Sequence, residues 1–249
     1  MISFVSSVFP DPDRRQLNAL YSWSIANVPV ILVGKINKPE NLNKRFPNII
    51  YVPHVQTARD LNIDSDAPIV RSIIKEALPI IQTPMVGLIN SDIIVKDNFM
   101  SVLIKAVAKN GYSMFLSCPR FDIVCEETVD TLKKLRRTFK KDRPHSDTSG
   151  DIFIGPKRKF EKMIDLMPNF IIGKYCWDNW IHTFFELYND PPTKCFNCSR
   201  WLPVFHQDHG RRHINSDPGI MHNRALFKKT SIIRLNDWKP LTFTQQATR

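Results

Sequence analysis

Met85-Val-Gly-Leu-Ile-Asn-Ser-Asp92 is the stretch on which the reading of the fold turns. An apolar run over 85–89 ends abruptly in a polar triplet, Asn90-Ser91-Asp92, that carries a single carboxylate. A buried strand that delivers an acid at its carboxyl end is how an open α/β sheet places a ligand or metal contact. An ordinary strand-terminating turn looks the same in isolation, so the surrounding chain has to decide.

Upstream, 2–9 reads as a buried strand and Pro10-Asp-Pro-Asp13 as a turn and helix start. Residues 14–26 fit a helix with Leu17, Leu20, Tyr21 and Ile25 on one face. Second and third strands follow at 28–33, closed by Gly34, and at 49–52. Ile69, Ile73, Ala77 and Ile80 predict a helix over 68–81, and beyond the 85–89 strand come a helix over 98–108 and a strand over 113–117. Strands alternating with helices of about 10–15 residues argue for βαβ units and a largely parallel sheet. After Pro119 the pattern loosens into a strongly basic helix over 126–141 and a polar loop over 142–150. A strand over 151–155 and helices over 157–166 and 177–188 follow, and the chain is irregular from Asp190, with Pro191-Pro192 as a break. The expectation is one α/β domain over 1–249: a Rossmann-type mixed sheet flanked by helices, with an elaborated C-terminal half.

Composition narrows the function classes. The chain has 249 residues, 43% of them hydrophobic, which is enough for a full core and excludes a mostly disordered protein. No apolar run approaches the roughly 20 residues of a membrane helix, and the N-terminus reads as a strand rather than a signal peptide. Cys118, Cys125, Cys176, Cys195 and Cys198 are an odd set without regular spacing, so reduced thiols and a cytoplasmic setting are expected. The net charge of +11 is uneven: 1–132 is neutral, whereas 133–162 and 194–249 each carry an excess of +7. Solubility does not need that asymmetry; a polyanionic partner would, although a solvated helix face explains part of it.

Several short motifs follow the Asn90-Ser91-Asp92 triplet in order: Arg120-Phe-Asp122, Gly150-Asp151-Ile-Phe153, Gly173-Lys-Tyr-Cys-Trp-Asp-Asn-Trp180, and His206-Gln-Asp-His209 with His213. In this order, over roughly 83 to 223, they resemble a branch of the GT-A-type glycosyltransferases. That resemblance implies a GT-A-like fold, with a nucleotide-sugar-binding half over 1–118 and an acceptor-binding half over 119–249. It also implies an acidic DxD-like triplet that holds Mn2+ or Mg2+ against a UDP-sugar. Here Asn90 replaces the first acid, leaving Asp92 to carry the metal contact.

By the same resemblance His209 is a further metal ligand. Asn90, Ser91, Asp92, Arg120, Arg211 and Arg212 become candidate contacts to the nucleotide sugar, since arginine's planar fork matches phosphate oxygens. Asp178 is the first candidate for the general base that deprotonates the acceptor hydroxyl, with Asp151 second. In a retaining reaction Asp178 would instead steady the positively charged sugar. Trp177 and Trp180 either stack on sugar or acceptor, or simply pack in the core. Lys133, Arg136, Arg137 and Lys140 are candidate acceptor contacts.

The charge asymmetry points to a polyanionic acceptor. By resemblance in type to the phage transferases that add glucose or arabinose to hydroxymethylcytosine in DNA, such DNA is the expected acceptor, and its target base would have to be exposed. A glycan, lipid or protein acceptor is the second possibility. A third reading is not enzymatic: Cys195, Cys198, His206 and His209 supply four soft ligands for structural zinc, although the seven-residue gap between the pairs is short, in a nucleic-acid-binding protein. No base-reading module is recognisable.

Overall fold

A computed structural model describes residues 1–37, 39–118, 120–139, 142–144, 150–188, 193–198, 201–210 and 216–230. The first half alternates strands and helices: β1 (Ile2–Ser6), α1 (Arg14–Ile25), β2 (Val30–Val33), α2 (Pro39–Arg45), β3 (Ile49–Val52), α3 (Val70–Ala77), β4 (Met85–Ile89), β5 (Ile93–Val95), α4 (Phe99–Asn110) and β6 (Met114–Cys118). The second half comprises β7 (Arg120–Ile123), α5 (Leu132–Thr138), β8 (Asp142–Pro144), β9 (Ile152–Pro156), α6 (Lys157–Leu166), α7 (Trp177–Leu187), β10 (Lys194–Asn197), β11 (Val204–Gln207) and α8 (Pro218–Lys229).

Seven strands form the main sheet in the order β3-β2-β1-β4-β9-β6-β10. Only β9 runs against its neighbours, pairing antiparallel with both β4 and β6. Residues alternate between the two faces, as the strand period of two requires. Phe4 and Leu32 face a layer containing Leu20 and Trp23 of α1 and Phe99 and Leu103 of α4. Val5, Ile31 and Leu88 face α3, α6 and α7. Covering both faces explains why the strands read as continuous apolar runs. Gly87 has a local cause: opposite Phe4 in register, any Cβ there would lie 2.4 Å from the Phe4 ring.

A second, four-stranded sheet, β5-β11-β7-β8, pairs β11 parallel to β7 and antiparallel to β5. Several expectations are corrected here. The basic helix is shorter than 126–141, and part of the expected loop is β8, paired with β7. The region expected to be irregular contains β10, β11 and α8. Cys118 and Cys198 form a disulfide across 80 residues, which departs from the expectation of reduced thiols. Among the described residues, no helix is long and apolar enough to cross a membrane.

Candidate functional site

Strand order reverses at the β1–β4 pair, since β2 and β3 lie beyond β1 while β9 and β6 lie beyond β4. Such a switch point leaves a crevice at the carboxyl ends of the strands. Asn90-Ser91-Asp92 leaves β4 there, and each residue of the triplet is directed to a different element. The Asn90 side-chain amide donates to Asp151 Oδ1 at 2.8 Å, at the start of β9. Ser91 Oγ accepts from Gln16 Nε2 of α1 at 2.9 Å. The Asp92 carbonyl accepts from Gln207 of β11, from its backbone N–H at 3.3 Å and its side-chain amide at 3.1 Å.

The last contact belongs to a buried polar network. Gln207 Nε2 also donates to the Arg15 carbonyl, and Asn18 donates to Gln207 Oε1 at 3.0 Å while accepting from Val129 N at 2.7 Å. Saturated amides of this kind fix orientation as well as position, because an unmade buried hydrogen bond is costly. Nothing in the local sequence pattern marked Gln16 or Asn18, and Gln207 was visible only as part of the His206–His209 motif.

Beyond the triplet, the second sheet closes the cluster. His206 on β11 stands opposite Asp122 on β7. Its Nδ1 lies 2.9 Å from Asp122 Oδ1 and its Nε2 3.3 Å from Asp92 Oδ2, with His209 Nε2 at 3.9 Å from the same oxygen. One ligand atom from each of Asp92, His206 and His209 falls within 4.8 Å of the others. His206 is buried and His209 exposed, so the cluster opens to the surface on one side. An Nδ1–H donated to Asp122 leaves Nε2 with the lone pair that a metal requires. Two further oxygens, Asp92 Oδ1 and Asn90 Oδ1, are buried without a hydrogen-bond partner among the described residues. Buried acceptors left open beside a carboxylate and two imidazoles suit a divalent cation. The expected Asp92–His209 pair is therefore together, and it is joined by His206.

The same groups pair with one another. Burial opposes ionisation of Asp92, yet His206 and His209 outweigh it and hold its carboxyl below the ordinary value. Burial likewise opposes a charged His206, but the carboxylates, Asp92 foremost, raise its pKa. Arg120 forms the floor: Nη1 lies 3.1 Å from both Asp151 oxygens and Nε 3.1 Å from Asp122 Oδ1. Asp151 is 3% exposed and burial raises its pKa despite Arg120. Both residues are in the site, engaged with each other rather than directed at open solvent.

Asp178 sits half-buried in the first turn of α7. Burial, reinforced by the charge of Asp151, pushes its pKa up to about 6. A carboxyl poised near neutrality is what general-base chemistry uses. Trp177 and Trp180 do not stack outward. Trp180 is 0% exposed and Trp177 4%, both within the layer against Phe153, Phe170 and Phe184, so the packing reading replaces the acceptor-stacking one.

On α5, Lys133, Arg136 and Arg137 are exposed and, with Leu132, line an open cavity of about 510 Å3. Arg136 already reaches Asp97, with Nε at 3.1 Å, and Lys134 pairs with Asp130 at 2.9 Å. The helix is thus less cationic than its sequence. Lys140, Arg211, Arg212 and His213 lie outside the described residues. The four-residue zinc set is not assembled: Cys198 is bonded to Cys118, the Cys195 thiol faces the Phe185 and Thr193 carbonyls, and both histidines converge on Asp92.

No protein-family model and no curated protein matches the chain. Among solved structures, Staphylococcus aureus TarS in complex with UDP-GlcNAc is similar at a TM-score of 0.51, with 11% identity over 86% of this chain and 60% of that one. A 4-diphosphocytidyl-2C-methyl-D-erythritol synthase from Anaerococcus prevotii is matched at 0.44, with 16% identity over 92% of this chain and 99% of that one. At such identities the likeness is one of fold. The chain has a Rossmann-like mixed α/β architecture, a mainly parallel seven-stranded sheet flanked by helices, as the alternation of strands and helices led us to expect.

Proposed function

We propose that the protein transfers a sugar from a UDP-sugar to a hydroxyl acceptor. One observation carries this reading: Asp92, His206 and His209 converge at the carboxyl end of β4, beside the buried open oxygens of Asn90 and Asp92. A cation is one way to hold a nucleotide diphosphate at a sheet's switch point, and these side chains fit one. Two imidazoles with one carboxylate suit Mn2+ better than Mg2+, which prefers an all-oxygen octahedron. Bound by these residues, the cation would neutralise charge developing on the departing diphosphate. The UDP-GlcNAc bound in the similar TarS structure agrees with a UDP-sugar donor.

Asp178 takes the proton of the acceptor hydroxyl as that oxygen bonds to the anomeric carbon. The bond from sugar to phosphate breaks at the same time, its electron pair leaving with the diphosphate. Asp151 and Arg120 hold Asn90 and Asp122 in place beneath this step. The acceptor assignment is charge-based: the excess over 133–162 suits a polyanion, and hydroxymethylated DNA is the acceptor we propose.

Incubation with UDP-, GDP- and CDP-sugars, Mn2+, and either hydroxymethylated DNA or neutral oligosaccharides tests both parts by mass spectrometry. Transfer from a UDP-sugar to DNA, lost on chelation, is expected. Transfer to oligosaccharide alone would refute the acceptor, and no nucleotide-diphosphate binding with any metal would refute the donor.

A further inference from the structure

α8 carries a fully enclosed amide whose contacts all reach one short segment. Asn223 is 0% exposed. Its Oδ1 accepts from Ile171 N at 2.9 Å, and Nδ2 donates to the Ile171 carbonyl at 2.9 Å and the Tyr175 carbonyl at 3.0 Å. Both amide hydrogens and the acceptor are thus used. Other contacts grip the same turn. Lys174 pairs with Asp217, the residue that caps α8. His222 Nε2 lies 3.1 Å from the Asn169 carbonyl, and Arg224 lies over the Tyr175 ring at 5.3 Å.

The gripped turn leads directly into α7. It ends at Cys176, a non-glycine residue held at φ 81° as the N-cap, and Asp178 follows two residues later. A side chain with a Cβ occupies that left-handed region only where the surroundings over-determine it. The three hydrogen bonds of Asn223 hold the preceding residues, one of them at the Tyr175 carbonyl next to Cys176. An apolar residue of similar size would fill the space without setting the orientation of the turn.

We propose that Asn223 is a positioning residue for Asp178, acting through the turn over 171–176 so that α7 presents its first-turn carboxylate toward Asp151 and the site. The proposal rests on Asp178 being the base. Burial raises the pKa of Asp178 most, the backbone N–H groups of Asn179 and Asp178 lower it, Asp151 raises it and Arg120 lowers it.

The test pairs an activity-independent readout with a kinetic one. In protein labelled with 13C at aspartate carboxyls, and with Asp178→Asn to assign the resonance, Asp178 titrates near pH 6 in the parent chain. In Asn223→Ala its midpoint falls by about one unit or more toward the ordinary ~3.9, as the loosened turn admits water. UDP release from UDP-GlcNAc with Mn2+ then shows kcat down about tenfold with the donor KM unchanged. An unchanged Asp178 titration and kcat in a folded Asn223→Ala overturns the proposal. Should that variant not fold, Lys174→Met loosens the same turn from the surface; a smaller shift in the same direction supports the proposal and none overturns it. Undiminished transfer by Asp178→Asn, by contrast, would remove the base reading and leave the titration result standing.

Discussion

The two sheets bring their residues to the site by different means. β4 presents Asp92 through local sequence: a buried apolar strand stops, and the next polar residues emerge at the switch point. β11 presents His206 only because it pairs with β7 and β5, setting it across from Asp122, 84 residues away in sequence. One candidate ligand depends on where a strand ends; the other depends on a long-range register. Substitutions on the β4 side should therefore remove chemistry and spare the fold, whereas those on the β11–β7 side should act through orientation and give graded losses.

Asp92→Ala tests the first half of that contrast and should have the largest effect. Gln207 binds the Asp92 carbonyl rather than its carboxylate, so the backbone network survives the substitution. Sugar transfer is expected to fall at least about a thousandfold, consistent with losing electrostatic stabilisation of the leaving group. The thermal midpoint should change little. A fully active variant would sink the site assignment.

Asp178→Asn comes next, with transfer lowered about 100- to 1,000-fold, the range for loss of a general base. Its effect on stability is a gain. The folded pKa, about 6, lies above the unfolded ~3.9, so the native carboxyl holds a proton that the unfolded one has lost between those values. Stability contributed by Asp178 therefore falls as pH rises from about 4 to about 6 and stays low above that. At pH 7.5 the asparagine variant should be more stable by about 1–2 kcal/mol, with the difference vanishing near pH 4. Parent activity should decline below about pH 6 as the base is protonated. Chemical denaturation at the two pH values and a pH–rate profile check each arm.

How much of this was legible follows the same division. The strands at 49–52 and 85–89 are local patterns, and the structure places them where periodicity does. Asp13 was readable as a helix start because capping is local too: its side chain accepts from Arg15 N and Gln16 N. β10 and β11 are short strands whose identity lies in their partners, so the region beyond Asp190 looked irregular. The His206–Asp122 pair was visible as two separate motifs, but their meeting is a matter of register that no local signal reveals. Trp177 and Trp180 stayed open between two readings for the converse reason: a residue type suited to sugar stacking is as well suited to a core, and only burial separates the two.

Asp122→Asn tests the register-dependent side. A carboxylate behind a ligating histidine fixes its tautomer and ring orientation, and losing it typically costs 10- to 100-fold in metal affinity. Mn2+ titration followed by electron paramagnetic resonance should show about that loss, with His206 still in place. Affinity equal to the parent would mean that Asp122 serves Arg120 alone, through the 3.1 Å contact to Nε.

The smallest effects are expected on α5, where the acceptor assignment is most exposed to test. Arg136 is already paired with Asp97, whereas Lys133 and Arg137 have no ion pair among the described residues. Each phosphate contact contributes about 0.9 to the slope of log affinity against log salt on duplex DNA. Lys133→Ala combined with Arg137→Ala should therefore weaken binding to hydroxymethylated DNA several-fold and flatten that slope by nearly two. Arg136→Ala should change it less, since Asp97 competes for the same guanidinium. Equal slopes for parent and double variant would take α5 away from the acceptor, leaving the sugar-donor site untouched because Asp92, His206 and His209 do not depend on it.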